Sequence, residues 1–359
     1  MKSLYIIILS LFIFTGCATN QAKLSKKTNN SHTVTQNDNQ DIFEIEDNYE
    51  SDDDSYKIAI IFPSKVVGKY AKDAINTMMA YMLHNNIKFN FEVFDSLTQD
   101  NNNINRVFSE INEKRFTNVI ALFTQDSIDT LLEVQDLDRL NLYLPLINKN
   151  EVVKSPQNIV FGAIDYKNQI ETLLTQSNKQ NSIFYTNNAL GLKLKEYVEN
   201  SNQNVKATTV INKHTNVFKR IVKNKKLRNS SLFLNTSIIK SSIILSQLRA
   251  HEANVYKILS TQLNYTPLVI SLTQYPDRKN FVIANSIERT DLKLQESLAL
   301  FDADIEYNWV NYATLIGMDY LYKKDDSGLF PSKIEDNQVK YNVRLYKNTR
   351  HGFKKLSSK

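Results

Sequence analysis

The chain has 359 residues, one cysteine and a formal net charge of +6, from 44 basic and 38 acidic side chains. This length exceeds that of one simple hydrophobic core and suits two lobes of ordinary domain size. A single cysteine excludes an intramolecular disulfide framework and argues against a zinc site built on cysteine.

The N-terminus has the pattern of an export signal. Lys2 precedes the almost wholly apolar run of residues 4–14, and small residues stand directly before Cys17. The run is well short of the roughly 20 residues that span a bilayer. We therefore predict a signal peptide at residues 1–16. The cut site resembles the lipobox of bacterial lipoproteins, which implies lipidation of Cys17; the alternative is a simple signal peptide with a chance cysteine.

The segment after Cys17 is polar and acidic. Residues 18–55 contain nine acidic side chains against three lysines and are rich in Asn, Ser and Thr. Low hydrophobicity combined with blocks of like charge indicates disorder. We therefore predict that residues 17–55 form a lipid-anchored, acidic, disordered linker, which tethers a basic globular body at residues 56–355.

The body alternates apolar strands with amphipathic helices. Apolar runs, rather than alternating patterns, indicate parallel strands whose sheet is covered on both faces. The sequence thus predicts an α/β protein with two parallel-sheet lobes around a cleft. The predicted strands are residues 56–64, 89–95, 119–123 and 142–147, then 182–186, 207–211, 231–236, 255–261 and 281–285, and the last helix is predicted at 307–323.

Five segments resemble one family: KIAIIFPS with GKYAKDAINTMMAYM, the strand FEVFDS that ends in Asp95, SIFYTNNALGLKL with Gly191, SLFLNT with SQLRAHEANVYKILSTQLNY, and the closing segment from ATLIGMDYLY to RLYKNTRHGF. Of these, SLFLNT with SQLRAHEANVYKILSTQLNY resembles the activators' segment more than that of the amino-acid binders. The body resembles the type I periplasmic binding-protein fold and, within it, the lipoprotein activators of penicillin-binding proteins. This resemblance implies a first lobe of about residues 56–165 plus about 290–325. The second lobe would comprise about residues 166–289 plus a C-terminal hairpin.

The cleft is the first candidate site, because ligands of such sheets bind beyond the carboxyl ends of the strands. The resemblance implies that hydroxyls and backbone amides there hold the carboxylate of an amino acid, while acids hold its ammonium group. Ordinary loop residues would give the same pattern. The candidate cleft residues are Ser64, Thr124, Ser127, Asn148, Asp165 and Tyr185.

The second candidate site is a dense basic run in the predicted second lobe. An exported protein rarely meets nucleic acid, so we expect an acidic partner surface or the anionic cell envelope as its target. A solvated helix face is the alternative reading. The run comprises Lys213, Lys219, Arg220, Lys223, Lys225, Lys226 and Arg228.

No motif indicates catalysis. The five histidines are scattered, and the sequence contains no GxSxG, HExxH or GxGxxG pattern. Asp302, Asp304 and Glu306 alternate, but they lack the glycine and terminal glutamate of a calcium loop. We therefore expect a non-enzymatic protein without a cofactor or a bound metal.

Two functions remain open. One is a lipoprotein facing the periplasm that activates or regulates a peptidoglycan synthase, a penicillin-binding protein. The other is a tethered receptor for an amino acid, a peptide or a similar small metabolite. A receptor needs a polar cleft between lobes that can hinge, whereas a regulator can act through its outer surface. Ala18 after the anchor cysteine favours the outer membrane over the inner one.

Overall fold

The structure, a computed structural model, describes residues 55–324, 328–330 and 332–357. These residues belong to one compact unit that spans Asp52–Lys359. The predicted signal peptide, the lipidation site at Cys17 and the predicted linker up to residue 54 lie outside the described residues.

The described residues form two seven-stranded sheets, which confirms the predicted α/β architecture. The strands are β1 (Tyr56–Phe62), β2 (Phe89–Asp95), β3 (Asn118–Ala121), β4 (Asn141–Leu144), β5 (Ile159–Phe161), β6 (Gln180–Tyr185), β7 (Asn204–Val210), β8 (Ser231–Asn235), β9 (Lys257–Ser260), β10 (Phe281–Asn285), β11 (Lys333–Glu335), β12 (Gln338–Lys340), β13 (Arg344–Asn348) and β14 (Phe353–Lys355). The first sheet has the order β11-β12-β5-β4-β3-β1-β2, and the second has the order β14-β13-β10-β9-β8-β6-β7.

Helices cover both faces of each sheet. They are α1 (Ser64–His84), α2 (Asn101–Glu113), α3 (Ile128–Leu132), α4 (Tyr166–Leu174), α5 (Ala189–Glu199), α6 (Phe218–Val222), α7 (Ile238–Ala250), α8 (Leu268–Leu272), α9 (Tyr275–Arg278), α10 (Leu292–Ala299) and α11 (Trp309–Lys323). We call the first sheet with α1–α3, α10 and α11 the first lobe, because α10 and α11 both pack on α1. The second sheet with α4–α9 is the second lobe.

The chain passes between the two sheets three times, at residues 162–165, 286–291 and 341–343. The third passage separates two hairpins: β11–β12 extends the first sheet and β13–β14 extends the second. The sequence suggested one closing hairpin, and it gave no prediction for β5. Three apolar residues at 159–161 are too few for a recognisable strand pattern.

The core of the first lobe is tightly packed around Tyr143 on β4. A Cβ atom added at Gly162 or at Gly317 would overlap the Tyr143 side chain, so both glycines are required by space. The Tyr143 hydroxyl donates a hydrogen bond of 2.9 Å to the carbonyl of Ala313 on α11. Burial raises the pKa of this hydroxyl, so it stays protonated and remains a donor. The helix is thereby fixed against the centre of the first sheet.

A buried polar cluster joins α11 to α1. The Tyr81 hydroxyl donates to Asp319 Oδ1 at 2.6 Å, and Lys323 Nζ lies 3.1 Å from the same oxygen. The other oxygen, Oδ2, accepts from the Leu329 amide at 2.7 Å. The carboxylate is almost fully buried, and its bonds offset the cost of desolvating a charge. This cluster connects positions more than 200 residues apart in the chain.

Gly317→Ala should lower the free energy of unfolding by about 1–3 kcal/mol, because the new methyl group must displace the Tyr143 ring in a close-packed core. Chemical denaturation of the two proteins measures this difference. Gly352→Ala is the matched control, since a Cβ atom there meets nothing within 4 Å. Equal destabilisation by the two substitutions would contradict the packing argument.

Candidate functional site

The predicted cleft residues of the first lobe already have partners within that lobe. Ser64 begins α1 rather than ending β1, and its amide donates to Asp95 Oδ1 at 3.0 Å. Partial burial raises the pKa of Asp95, but hydrogen bonds from Ser64 and Leu97 outweigh it and leave that pKa below its usual value. Ser64 and Asp95 therefore stabilise the turn after β1.

Thr124 and Ser127 follow β3 and are similarly engaged. The Thr124 amide donates to Gln99 Oε1 at 2.7 Å, and its hydroxyl accepts from Gln99 Nε2 at 2.9 Å. Ser127 is fully buried and donates to the Thr124 carbonyl at 2.9 Å. Gln99, a residue that sequence reasoning did not single out, thus takes the hydrogen bonds that a ligand at Thr124 would need.

The remaining predicted cleft residues serve local structure. Asn148 donates to the Ala163 carbonyl at 3.1 Å and accepts from the Asn150 amide at 3.0 Å. Asp165 caps the start of α4, where its Oδ1 accepts from the Asn168 amide at 2.9 Å. Tyr185 ends β6 and packs in the second-lobe core. Of the six candidates, Asn148 and Asp165 line the same cavity, which has a volume of about 690 Å³.

An ion pair joins the two lobes at this 690 Å³ cavity. Lys193 on α5 places its Nζ 2.6 Å from Oε1 of Glu151, which lies in a 3₁₀ turn of the first lobe. Tyr197, one turn along α5, lines the same cavity. Burial and the nearby charges of Glu151 and Asp165 raise the pKa of Tyr197 above its usual value. These contacts hold α5 against the first lobe.

A second cavity of about 420 Å³ lies at the carboxyl ends of β6, β7 and β8 in the second lobe, and Tyr70 of α1 in the first lobe also lines it. Its floor includes Asn235, the last residue of β8, and its wall includes Lys240 on α7. In the sequence, residues 235–237 have the residue types that commonly cap the start of a helix. Ser237 is the N-cap, but its side chain makes no capping hydrogen bond.

The basic run forms an exposed surface on the second lobe. It is not one helix face: it comprises a loop, the short helix α6 and a 3₁₀ turn at Lys225–Leu227. Phe218 and Val222 of α6 are buried, which turns the charged residues outward. No carboxylate of the described residues lies within 4 Å of their charged groups. We call this set the basic surface: Lys213, Lys219, Arg220, Lys223, Lys225, Lys226 and Arg228, all exposed.

In the described part of the chain, no helix is both long enough and apolar enough to cross a membrane. Within the same residues, no group of three or more His, Cys, Asp or Glu side chains is placed to hold a metal ion. The Asp304 carboxylate instead accepts the amides of Glu306 at 2.8 Å and Tyr307 at 3.0 Å.

No family model matches the sequence, and no curated protein matches it. Solved structures do match. LivJ, the branched-chain amino acid transporter substrate-binding protein of Streptococcus pneumoniae in complex with isoleucine, is similar at a TM-score of 0.58 and 9% identity, over 84% of this chain and 100% of LivJ. The leucine-binding protein LivK of Thermotoga maritima is similar at 0.59 and 10%, over 84% of this chain and 98% of LivK. The fold is that of the bilobed periplasmic binding proteins.

LpoA of Haemophilus influenzae has the same fold in part. The TM-score is 0.59 and the identity 9%, over 84% of this chain but only 59% of LpoA. The chain therefore corresponds to a portion of LpoA and to nearly the whole of LivJ or LivK. The similar structures include binding proteins, an extracellular ligand-binding receptor and LpoA, and at these identities the likeness shows the fold alone.

Lys193→Gln should shift the lobes toward greater separation, because it removes an ion pair that joins them. The pair is partly exposed, so the expected change is at most about 1 kcal/mol. Electron–electron double resonance between one spin label on each lobe measures the distance distribution. Lys195→Gln is the control, since Lys195 pairs with Glu199 inside α5. Identical distributions for the two variants would contradict a joining role for Lys193.

Proposed function

We propose that this protein is a non-enzymatic regulator of a peptidoglycan synthase, attached to the cell envelope and facing the periplasm. The shared fold with LpoA, an activator of a penicillin-binding protein, supports this proposal. The self-contained hydrogen bonding of the first-lobe cleft residues supports it as well. A regulator does not need those residues to be free for a ligand.

The basic surface is the observation that carries the proposal. Seven exposed cations, with no carboxylate of the described residues within 4 Å, create a positive potential over one side of the second lobe. Such a field accelerates encounter with an acidic surface and disfavours basic partners. Buried Phe218 and Val222 fix α6 to the core, so the charges are presented on an ordered segment. The partner is accordingly a synthase domain with an acidic face.

Replacing Lys219, Arg220 and Lys223 by Glu should weaken synthase binding about tenfold or more, because several attractive charge pairs become repulsive. The measurement is a pull-down from solubilised envelopes treated with fluorescent penicillin, which marks penicillin-binding proteins covalently. The control replaces Lys347, Lys354 and Lys355 by Glu. These exposed lysines lie on the β13–β14 hairpin of the second lobe, so the charge change is the same but its place is different. Wild-type protein that retains no labelled synthase would contradict the proposal.

Anchoring through Cys17 completes the proposed arrangement. Cys17→Ser should move the protein from the membrane pellet to the soluble fraction, because the thiol that carries the lipid is lost. Fractionation of cells followed by immunoblotting measures this change, with Thr19→Ser as the control. A Cys17→Ser protein that stays in the pellet like the wild type would rule out the lipid anchor. Separation of inner and outer membranes then tests the outer-membrane placement.

A solute receptor is the second candidate function. Its specific support is the coverage of the comparisons, since the chain spans 100% of LivJ but only 59% of LpoA. The 420 Å³ cavity lined by Asn235 is the place where such a receptor would hold its ligand. Binding of a small molecule without retention of a synthase would favour this candidate over the first.

A further inference from the structure

The 420 Å³ cavity is large enough for a small ligand, and it is lined by polar side chains and two lysines with no carboxylate among the described residues. It lies where β6 is flanked by β7 on one side and β8 on the other, the point at which the strand order of the sheet reverses. Open α/β sheets bind ligands in the crevice at such a point. The lining residues are Tyr70, Thr186, Asn188, Leu190, Gly191, Ile211, Asn212, Lys213, Asn235, Thr236, Ser237, Lys240 and Leu263.

Asn235 is the one lining residue of this cavity whose buried side-chain amide has no hydrogen-bond partner among the described residues. Its side chain is 1% exposed, and neither the amide nitrogen nor the amide oxygen has a hydrogen-bond partner among the described residues. Its backbone carbonyl accepts from the Thr186 amide at 3.2 Å, which fixes the residue at the cavity floor. Buried side-chain amides are nearly always hydrogen-bonded. An anion that accepts a hydrogen bond from Asn235 Nδ2 would satisfy that donor.

The electrostatics of the cavity favour an anion. Helix α7 has 13 residues and begins beside the cavity, and its N-cap, Ser237, leaves the first-turn amides without a side-chain cap. These amides carry the positive end of the helix dipole. Lys240, in the first turn of α7, and Lys213, after β7, both line the cavity. Lys240 is held in place, since its Nζ donates to the Thr215 carbonyl at 3.1 Å.

The cavity also has no carboxylate among its described lining residues. Every described residue that lines the cavity is either neutral or a lysine, so no carboxylate is present there to bind an ammonium group. An amino acid would bring such a group, and it would meet two lysines. The cavity thus differs from the cleft expected for an amino-acid receptor, where acids hold the ammonium.

We infer that the second-lobe cavity binds a small anion, a carboxylate or a phosphate without an ammonium group, with its charge at the start of α7 beside Lys240 and its remaining polar atoms on Asn235. The inference does not depend on the proposed synthase partner. It refines the receptor candidate by excluding zwitterionic amino acids as the ligand class.

Isothermal titration calorimetry on the full chain tests this inference with three probes: inorganic phosphate, succinate and glycine. We expect saturable binding of phosphate or succinate and none of glycine. Phosphate binding would identify a phosphorylated ligand, and succinate binding a carboxylate. Lys240→Met should weaken binding about tenfold or more, because hydrogen bonds to charged groups contribute about 1.5–3 kcal/mol each. Lys354→Met, an exposed lysine of β14, is the control.

Asn235→Leu provides a second variant. It should abolish binding while leaving the melting temperature unchanged or higher, because the replaced amide has no partner in the fold. If this variant fails to fold, Lys240→Met on the partly exposed first turn of α7 decides the question alone. Absence of saturable binding of both anions at millimolar concentration would overturn the inference. Equal binding by wild type and Lys240→Met, or glycine binding as strong as anion binding, would overturn it as well.

Discussion

The packing of Tyr143 between Gly162 and Gly317 is the constraint on which the first lobe depends. A parallel sheet must be covered on both faces, and the helix that covers β3 and β4 comes from the end of the chain rather than from between the strands. Only glycine lets the backbone approach the tyrosine ring this closely. The chain must therefore leave the first lobe, build β6–β10 of the second lobe and return before the first core is complete.

This return explains the hydrogen bonds between the three passages that connect the lobes. Tyr341, in the third passage, donates to the carbonyl of Gly162 in the first at 2.5 Å. Arg344, just after the third passage, pairs with Glu288 in the second at 2.7 Å. Glu288 is almost fully buried, so the pair is shielded from solvent. Relative motion of the lobes has to preserve these bonds or break them together.

The sequence predicted the fold far better than the site. Apolar runs such as residues 56–62 and 281–285 identify strands because burial on both faces leaves a direct compositional signal. Hydrogen-bond partners leave no such signal. Thr124 follows a strand in the expected place, but Gln99, 25 residues earlier, hydrogen-bonds to both its amide and its hydroxyl. Asn235 is the reverse case: in the sequence it resembles an ordinary helix cap, but in the fold its buried side chain has no partner among the described residues. Its significance depends on three strand ends and two helices that only the fold brings together.

The two candidate sites of the second lobe are physically connected. Lys213 lines the second-lobe cavity and is the first residue of the basic surface. Lys240, which lines the same cavity, lies over the ring of Phe218 in α6, with its Nζ 5.3 Å from the ring centre. An anion held beside these lysines reduces the positive potential that an acidic partner meets. By linkage, a partner that engages Lys213 lowers the affinity of the cavity for the anion by the same factor. The regulator and the receptor functions are therefore compatible. An anion bound in the second-lobe cavity would oppose the binding of an acidic protein to the basic surface.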